Sequence, residues 1–256
     1  MRSVILCEGS TDFVLLQYYM RKVYGWEYKK NDSVLINGYK ARKCVLKKDH
    51  SELNIIGCGG CSRIPGGLQF ILDSNSLSAE DEAYNRIVII TDRDEVETES
   101  EFETIIATEL GKQQIEWKDD ISNDKWIDFH YENGQGDNCN AKLLLLVIPF
   151  EDTGAMETFL LDAVGKSNPY DAKIISDCNQ FVDNVDNQKK YLNKRRYITK
   201  AKFDVYFSVR TAAEQFVERQ NILKNIPWED YASIQKSFEK LGTLAENNET
   251  YSQLRK

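Results

Sequence analysis

"SVILCEGSTDFVLLQYYMRKVYG", residues 3–25, joins an apolar run to a helical pattern through a glutamate and a glycine. Val4 to Cys7 are consecutively apolar, as in a strand buried on both faces. Phe13, Leu16, Tyr19, Met20 and Val23 then recur at helical spacing, and Gly25 closes the stretch. Ser10, Thr11 and Asp12 place the N-cap of that helix between 10 and 12. "RIVIITDRDE", residues 86–95, repeats the scheme, with a β-branched run that ends in Asp92 and Asp94. Both runs have the composition of central parallel strands, each with carboxylates at its carboxyl end.

Outward from these two runs the order stays α/β. "SVLING" (33–38) reads as a second strand, and "ELNIIGCGG" (52–60) as a strand ending in glycines before helix-like "GLQFILDSNS" (67–76). "EFETIIATEL" (101–110) has helical periodicity and stops at Gly111. "WIDFHYENGQGDNCN" (126–140) is a strand and a Gly/Asn loop, "KLLLLVIPF" (142–150) another buried strand, and "GAMETFLLDAV" (154–164) a helix. Strands alternating with helices predict an α/β fold, a mainly parallel Rossmann-type sheet flanked by helices. Beyond this the chain becomes polar and helical, with the basic block "KKYLNKRRYITKAKFDVYFSVR" (189–210) and amphipathic "WEDYASIQKSFEKLGTLAE" (228–246). The expected organisation is an α/β domain over 1–165 and a helical C-terminal extension over 166–256, packed on that core.

The bulk numbers exclude several classes. A length of 256 residues buries an ample core. The net charge of -8 removes the strongly basic balance of many nucleic-acid binders, yet leaves room for local basic clusters. The apolar runs are too short for a signal peptide or a membrane span. The six cysteines, at 7, 44, 58, 61, 139 and 178, lack the density of a disulfide scaffold. A reduced, cytoplasmic protein with no membrane partner is expected.

A single carboxylate at a strand end is ordinarily a helix cap or a solvated charge. Glu8, Asp92 and Asp94 all fall at carboxyl ends of strands, where parallel sheets bind ligands. Gathered there they repel one another unless a cation sits among them, and hard oxygen donors select Mg²⁺ or Mn²⁺. Alternate residues of extended chain face the same side, so Asp92 and Asp94 can converge while Arg93 turns away.

With E-G-x-x-D (Glu8, Gly9, Asp12) after one strand and D-x-D (Asp92, Asp94) after another about eighty residues on, residues 1–165 resemble the Toprim domain of topoisomerases, bacterial primases and OLD-family nucleases. "NIIGCGG" (54–60) falls where Toprim chains carry a strand ending in glycine. "IPFEDTGAMETFLLDAV" resembles the OLD-type segment that supplies one more metal carboxylate, which maps to Glu157. "TKAKFDVYFSV" resembles the downstream segment that carries an active-site lysine, here Lys200 or Lys202. The resemblance implies a nuclease in which Glu8, Asp12, Asp92, Asp94 and Glu157 hold Mg²⁺ or Mn²⁺, with Glu8 also a candidate base. It further implies a nucleic acid substrate, DNA or RNA, and anti-phage defence beside a separate ATPase chain; a homodimer stays open. Lys194, Arg195 and Arg196, interleaved with Tyr191 and Tyr197, can track a phosphate backbone or form a solvated helix face.

Other constellations fail sooner. Cys58-x-x-Cys61 is a zinc half-site without a second half, and Gly57, Gly59 and Gly60 favour a tight turn with incidental thiols. "GCGGCSRIPGG" lacks the Gly-Lys-Ser/Thr ending of a P-loop, and no G-x-S-x-G elbow occurs. His50 and His130 have no nucleophile partner in the pattern. Primase-like nucleotidyl transfer and a non-catalytic metal-binding module remain the alternatives. A topoisomerase is not expected at this length.

Overall fold

Residues 1–214 and 218–245 are described by a computed structural model. The elements run β1 (Arg2–Cys7), α1 (Ser10–Tyr24), β2 (Glu27–Ile36), β3 (Tyr39–Lys48), β4 (Ser51–Gly57), α2 (Ile64–Leu77), β5 (Tyr84–Asp92) and α3 (Thr98–Lys112). They continue with β6 (Glu116–Trp117), β7 (Trp126–Glu132), β8 (Asn138–Ile148), α4 (Met156–Ser167), α5 (Pro169–Val185), α6 (Arg195–Arg210), α7 (Arg219–Asn225) and α8 (Ala232–Phe238).

One eight-stranded sheet has the order β2-β3-β4-β1-β5-β8-β7-β6. Its four central strands, β4, β1, β5 and β8, are parallel. Antiparallel pairs extend it on both sides, β2–β3–β4 on one and β8–β7–β6 on the other. The sheet is therefore parallel at its centre and antiparallel toward both edges, as suits a chain whose outer strands are joined by short turns.

Period-two alternation divides each central strand between two cores. Ile5, Val88, Ile90, Leu144 and Leu146 face one side, where α1, α4 and the C-terminal helices contribute Phe13, Leu160, Phe203, Phe207, Trp228 and Phe238. Val4, Leu6, Ile87, Ile89, Leu143 and Leu145 face the other, beneath Leu68 and Ile71 of α2 and Phe102 and Ile106 of α3. Helices cover both faces, so the middles of the parallel strands are buried on both sides and mostly apolar.

Two local expectations change. The second strand occupies 27–36 rather than 33–38, because Asn37 and Gly38 form its turn, with φ of 46° and 82°. Positive φ at both central residues is the signature of a tight hairpin, which leads directly into β3. The N-cap of α1 is Gly9, not a residue of 10–12; Asp12 sits at the third helical position and its Oδ2 accepts the Gly9 N–H at 2.6 Å. Among the described residues no helix is long and apolar enough to cross a membrane.

Candidate metal centre

Because the four parallel strands are neighbours, their carboxyl ends share one rim. Glu8 leaves β1, Asp92 ends β5, the Gly59–Cys61 turn follows β4, and Glu157 opens α4 after β8. Register sets Cys7 beside Ile90, so Glu8 and Thr91 are adjacent. Thr91 Oγ1 donates to Glu8 Oε2 at 3.1 Å. The backbones of Asp92 and Cys61 lie close enough to lower the Glu8 carboxyl against the larger effect of burial.

The other carboxylates are fixed by the helices they introduce. Asp92 Oδ1 accepts the Met156 N–H at 2.9 Å, so it caps α4, whose own N-cap Ala155 has no side-chain acceptor. Glu157 is 4% exposed, and its Oε1 accepts from Thr11 Oγ1 at 2.7 Å. Arg93 turns away from the rim as expected, donating to Pro149 O and pairing with Glu99 at 2.7 Å. Glu8, Asp12, Asp92, Asp94 and Glu157 line a single cavity of about 650 Å³ together with Lys200, Arg195 and Arg196.

Crowding of like charge away from water raises the carboxyls. Burial, aided by Glu157 and Glu8, lifts Asp12 to about 7. Burial and then Asp12, Glu8 and Glu157 push Asp92 well above the carboxylate range. Burial and Asp94 raise Glu8. Asp12 is 3% exposed and its Oδ1 has no hydrogen-bond partner. A buried carboxylate oxygen without a donor is costly unless a cation meets it. The donor set thus fits a divalent metal, with Glu8, Asp12, Asp92, Asp94 and Glu157 as the oxygens that would hold it.

A family model described as protein of unknown function (DUF3226) matches residues 2–246. The chain belongs to the DUF3226 family. No curated protein matches it. Among solved structures, a hypothetical protein, PH0156, from Pyrococcus horikoshii is similar at 17% identity and a TM-score of 0.48, covering 90% of this chain and 98% of its own. A glyoxalase family protein from Enterococcus faecalis is similar at 14% identity and a TM-score of 0.18, covering 55% of this chain and 91% of its own.

In this DUF3226 chain the basic candidates separate. Lys200 faces the acidic cavity, close enough to Asp12 to lower its carboxyl. Lys202 does not; its Nζ lies 2.8 Å from Asp183 Oδ1, on a neighbouring cavity of about 630 Å³. Arg195 and Thr199 border both cavities, while Lys194 lines only the second. Arg195 Nη1 donates to Asp94 O at 2.6 Å and Glu95 Oε1 at 3.0 Å, bridging α6 to the D-x-D loop. Lys194 and Arg196 stack over Tyr197.

Two participants escaped the sequence reading, and a third was set aside there as an incidental thiol. Thr11 and Thr91 orient carboxylates, and each stands beside a motif position without being part of it. Cys61 is the third. The Cys58–Cys61 turn is as tight as the glycines imply, with Gly59 and Gly60 at φ of 85° and 142°. Its thiols part company there: Cys58 is buried, whereas exposed Cys61 meets Glu8 and Asp94.

Proposed function

We propose that this protein is a Toprim-type, OLD-like nuclease that cleaves phosphodiester bonds of DNA or RNA with Mg²⁺ or Mn²⁺. The observation that carries this reading is the gathering of five carboxylates, from both strand-end motifs and α4, with Lys200 on one cavity wall. Glu8, Asp12, Asp92, Asp94 and Glu157 would hold two divalent ions, which would supply activation of a water and neutralisation of a leaving oxygen. Glu8, whose carboxylate is held by the Thr91 hydroxyl on the cavity wall, is oriented to accept a proton from water. Lys200 offers positive charge where a pentavalent phosphate accumulates negative charge. Arg195 and Arg196, on the same wall, suit the phosphates flanking the cleaved one. The family resemblance adds an intracellular setting, anti-phage defence and a separate ATPase partner as parts of the same proposal.

The test is purified protein offered plasmid, single-stranded DNA and tRNA with Mg²⁺ or Mn²⁺. Cleavage is expected, abolished by chelation and by Glu8→Gln. Lys200→Ala should lower the rate about 10²–10³-fold, the scale of losing one charge-stabilising group. Lys202→Ala should leave it within about twofold, since that lysine belongs to an exposed ion pair. If no substrate is cut with either metal while the wild type still binds the ion, the chain is a metal-binding module and the nuclease reading falls.

A further inference from the structure

The thiol on the rim is placed by construction. Gly59 N and Gly60 N both donate to Glu8 O, at 2.8 and 2.9 Å, so the turn after β4 is laid directly over the end of β1. Both glycines occupy positive-φ backbone that L side chains rarely adopt. That bend brings the next residue, Cys61, to the carboxylates. Its Sγ, one Glu8 oxygen and one Asp94 oxygen all lie within 4.8 Å of one another. Asp12, whose buried Oδ1 has no hydrogen-bond donor, lines one cavity with Glu8 and Asp94, and independently marks it as a place for a cation.

We infer that Cys61 is a metal ligand, forming with Glu8 and Asp94 a mixed sulfur–oxygen site that takes thiophilic borderline cations such as Co²⁺, Zn²⁺ and Cd²⁺ in preference to Mg²⁺. The inference rests on the metal-binding part of the proposed function and adds its ion selectivity. Bonds of about 2.3 Å to sulfur and about 2.0–2.2 Å to oxygen let one ion draw such a set together through side-chain rotation. Thiolate favours Zn²⁺-like ions, whereas Mg²⁺ favours carboxylate and water and leaves a sulfur unused. Binding forms the metal–sulfur bond and releases the thiol proton to solvent, with no change in oxidation state. Among the six cysteines only Cys61 is exposed, and the other five are buried. A thiol signal from the folded protein therefore has one accessible source. The functional consequence is a centre that Mg²⁺ or Mn²⁺ serves through its oxygens and that Zn²⁺ or Cd²⁺ captures through Cys61.

Titration of the folded, full-length protein with Co²⁺ tests this without reference to cleavage. A thiolate-to-cobalt charge-transfer band in the near ultraviolet is expected. Cys61→Ser, at an exposed position, should fold as the wild type by circular dichroism and lose the band. Its Co²⁺ and Zn²⁺ affinity should fall by at least the roughly 10-fold that removing even an outer-shell partner of a metal ligand costs. Cys61→Asp should restore binding without the band and shift preference toward Mn²⁺. A wild type that binds Co²⁺ without the band, or a band that survives in Cys61→Ser, overturns the inference. The two proposals fail separately: cleavage without the band leaves the nuclease and removes the thiol ligand, and a Cys61-dependent band without cleavage does the reverse.

Discussion

Asp12 shows how one residue serves local structure and the site together. Its Oδ2 closes the first turn of α1 on Gly9, and its Oδ1 is buried without a hydrogen-bond donor, free for the proposed cation. Without that cation the cluster holds protons: Asp12 at about 7, Asp92 and Glu8 also above their usual values. The unfolded carboxyls titrate near about 4, so between there and about 7 the folded state binds more protons than the unfolded one. Stability of the metal-free protein is then present on the acid side and lost as pH rises through the folded values, by up to about 1.4 kcal/mol per pH unit for each such group. Thermal melts in chelator should show Tm falling between about pH 4 and about pH 7, and Asp12→Asn should flatten that fall. Mn²⁺ should raise Tm most at the alkaline end. A Tm that rises with pH equally in wild type and Asp12→Asn would contradict this account. The sequence disclosed Asp12 through its motif spacing, but the supporting Thr11 and Thr91 depend on cross-strand and helix-to-helix placement that no local pattern encodes.

At the scale of elements, legibility followed burial. β1, β5 and β8 are continuous apolar runs because helices cover both their faces, and they were readable for that reason. β3, "YKARKCVLKK", interleaves lysines and arginines with Ala41, Cys44, Val45 and Leu46, and its identity is decided by pairing with β2 and β4 rather than by its own composition. The Asn37-Gly38 turn was the available signal for it. Helix α6 runs against local electrostatics: Lys194 is its N-cap, Arg195 and Arg196 open it, and its first turn has no acidic residue. Cations at a helix N-terminus are unfavourable by about 0.3–1 kcal/mol each. A phosphate backbone would reverse that sign. Lys194→Ala with Arg196→Ala should therefore leave stability equal or slightly higher, measured by urea unfolding. The same pair should weaken binding to duplex DNA with Ca²⁺ in place of Mg²⁺. It should also reduce the slope of log affinity against log salt by about 0.9 for each phosphate that the protein ceases to neutralise. An unchanged slope would assign these residues to a solvated helix face.

For the whole molecule the decisive feature is how the C-terminal helices meet the sheet. Ser3 Oγ on β1 donates to Leu244 O at 2.9 Å, and Tyr24 OH donates to Phe238 O at 2.8 Å. Tyr19 of α1 packs edge-on against Phe238 with ring centroids 5.0 Å apart, and Phe207 meets Trp228 likewise at 6.1 Å. Phe203, Phe207, Ile234, Phe238, Leu241 and Leu244, all buried, belong to the same apolar cluster as Ile5, Val88 and Leu144 of the central strands. A chain cut after residue 165 would bare that face, including Phe13, Leu16 and Tyr19, and strip Lys200 and Arg195 from the acidic cavity. Such a fragment should be insoluble or bind hydrophobic dye, since an uncovered sheet face of this size has no other partner. The intact chain should unfold in urea as one unit. Trp228 lies in the C-terminal region and Trp26 beside α1, so single-tryptophan variants reporting from each should give midpoints that coincide with each other and with far-ultraviolet circular dichroism. Added Mn²⁺ should move both midpoints together, because carboxylates from the strand ends and a lysine from α6 share one cavity. Two separated transitions, with only the Trp26 signal responding to metal, would show instead that the extension folds apart from the sheet and that Lys200 reaches the cavity only after docking.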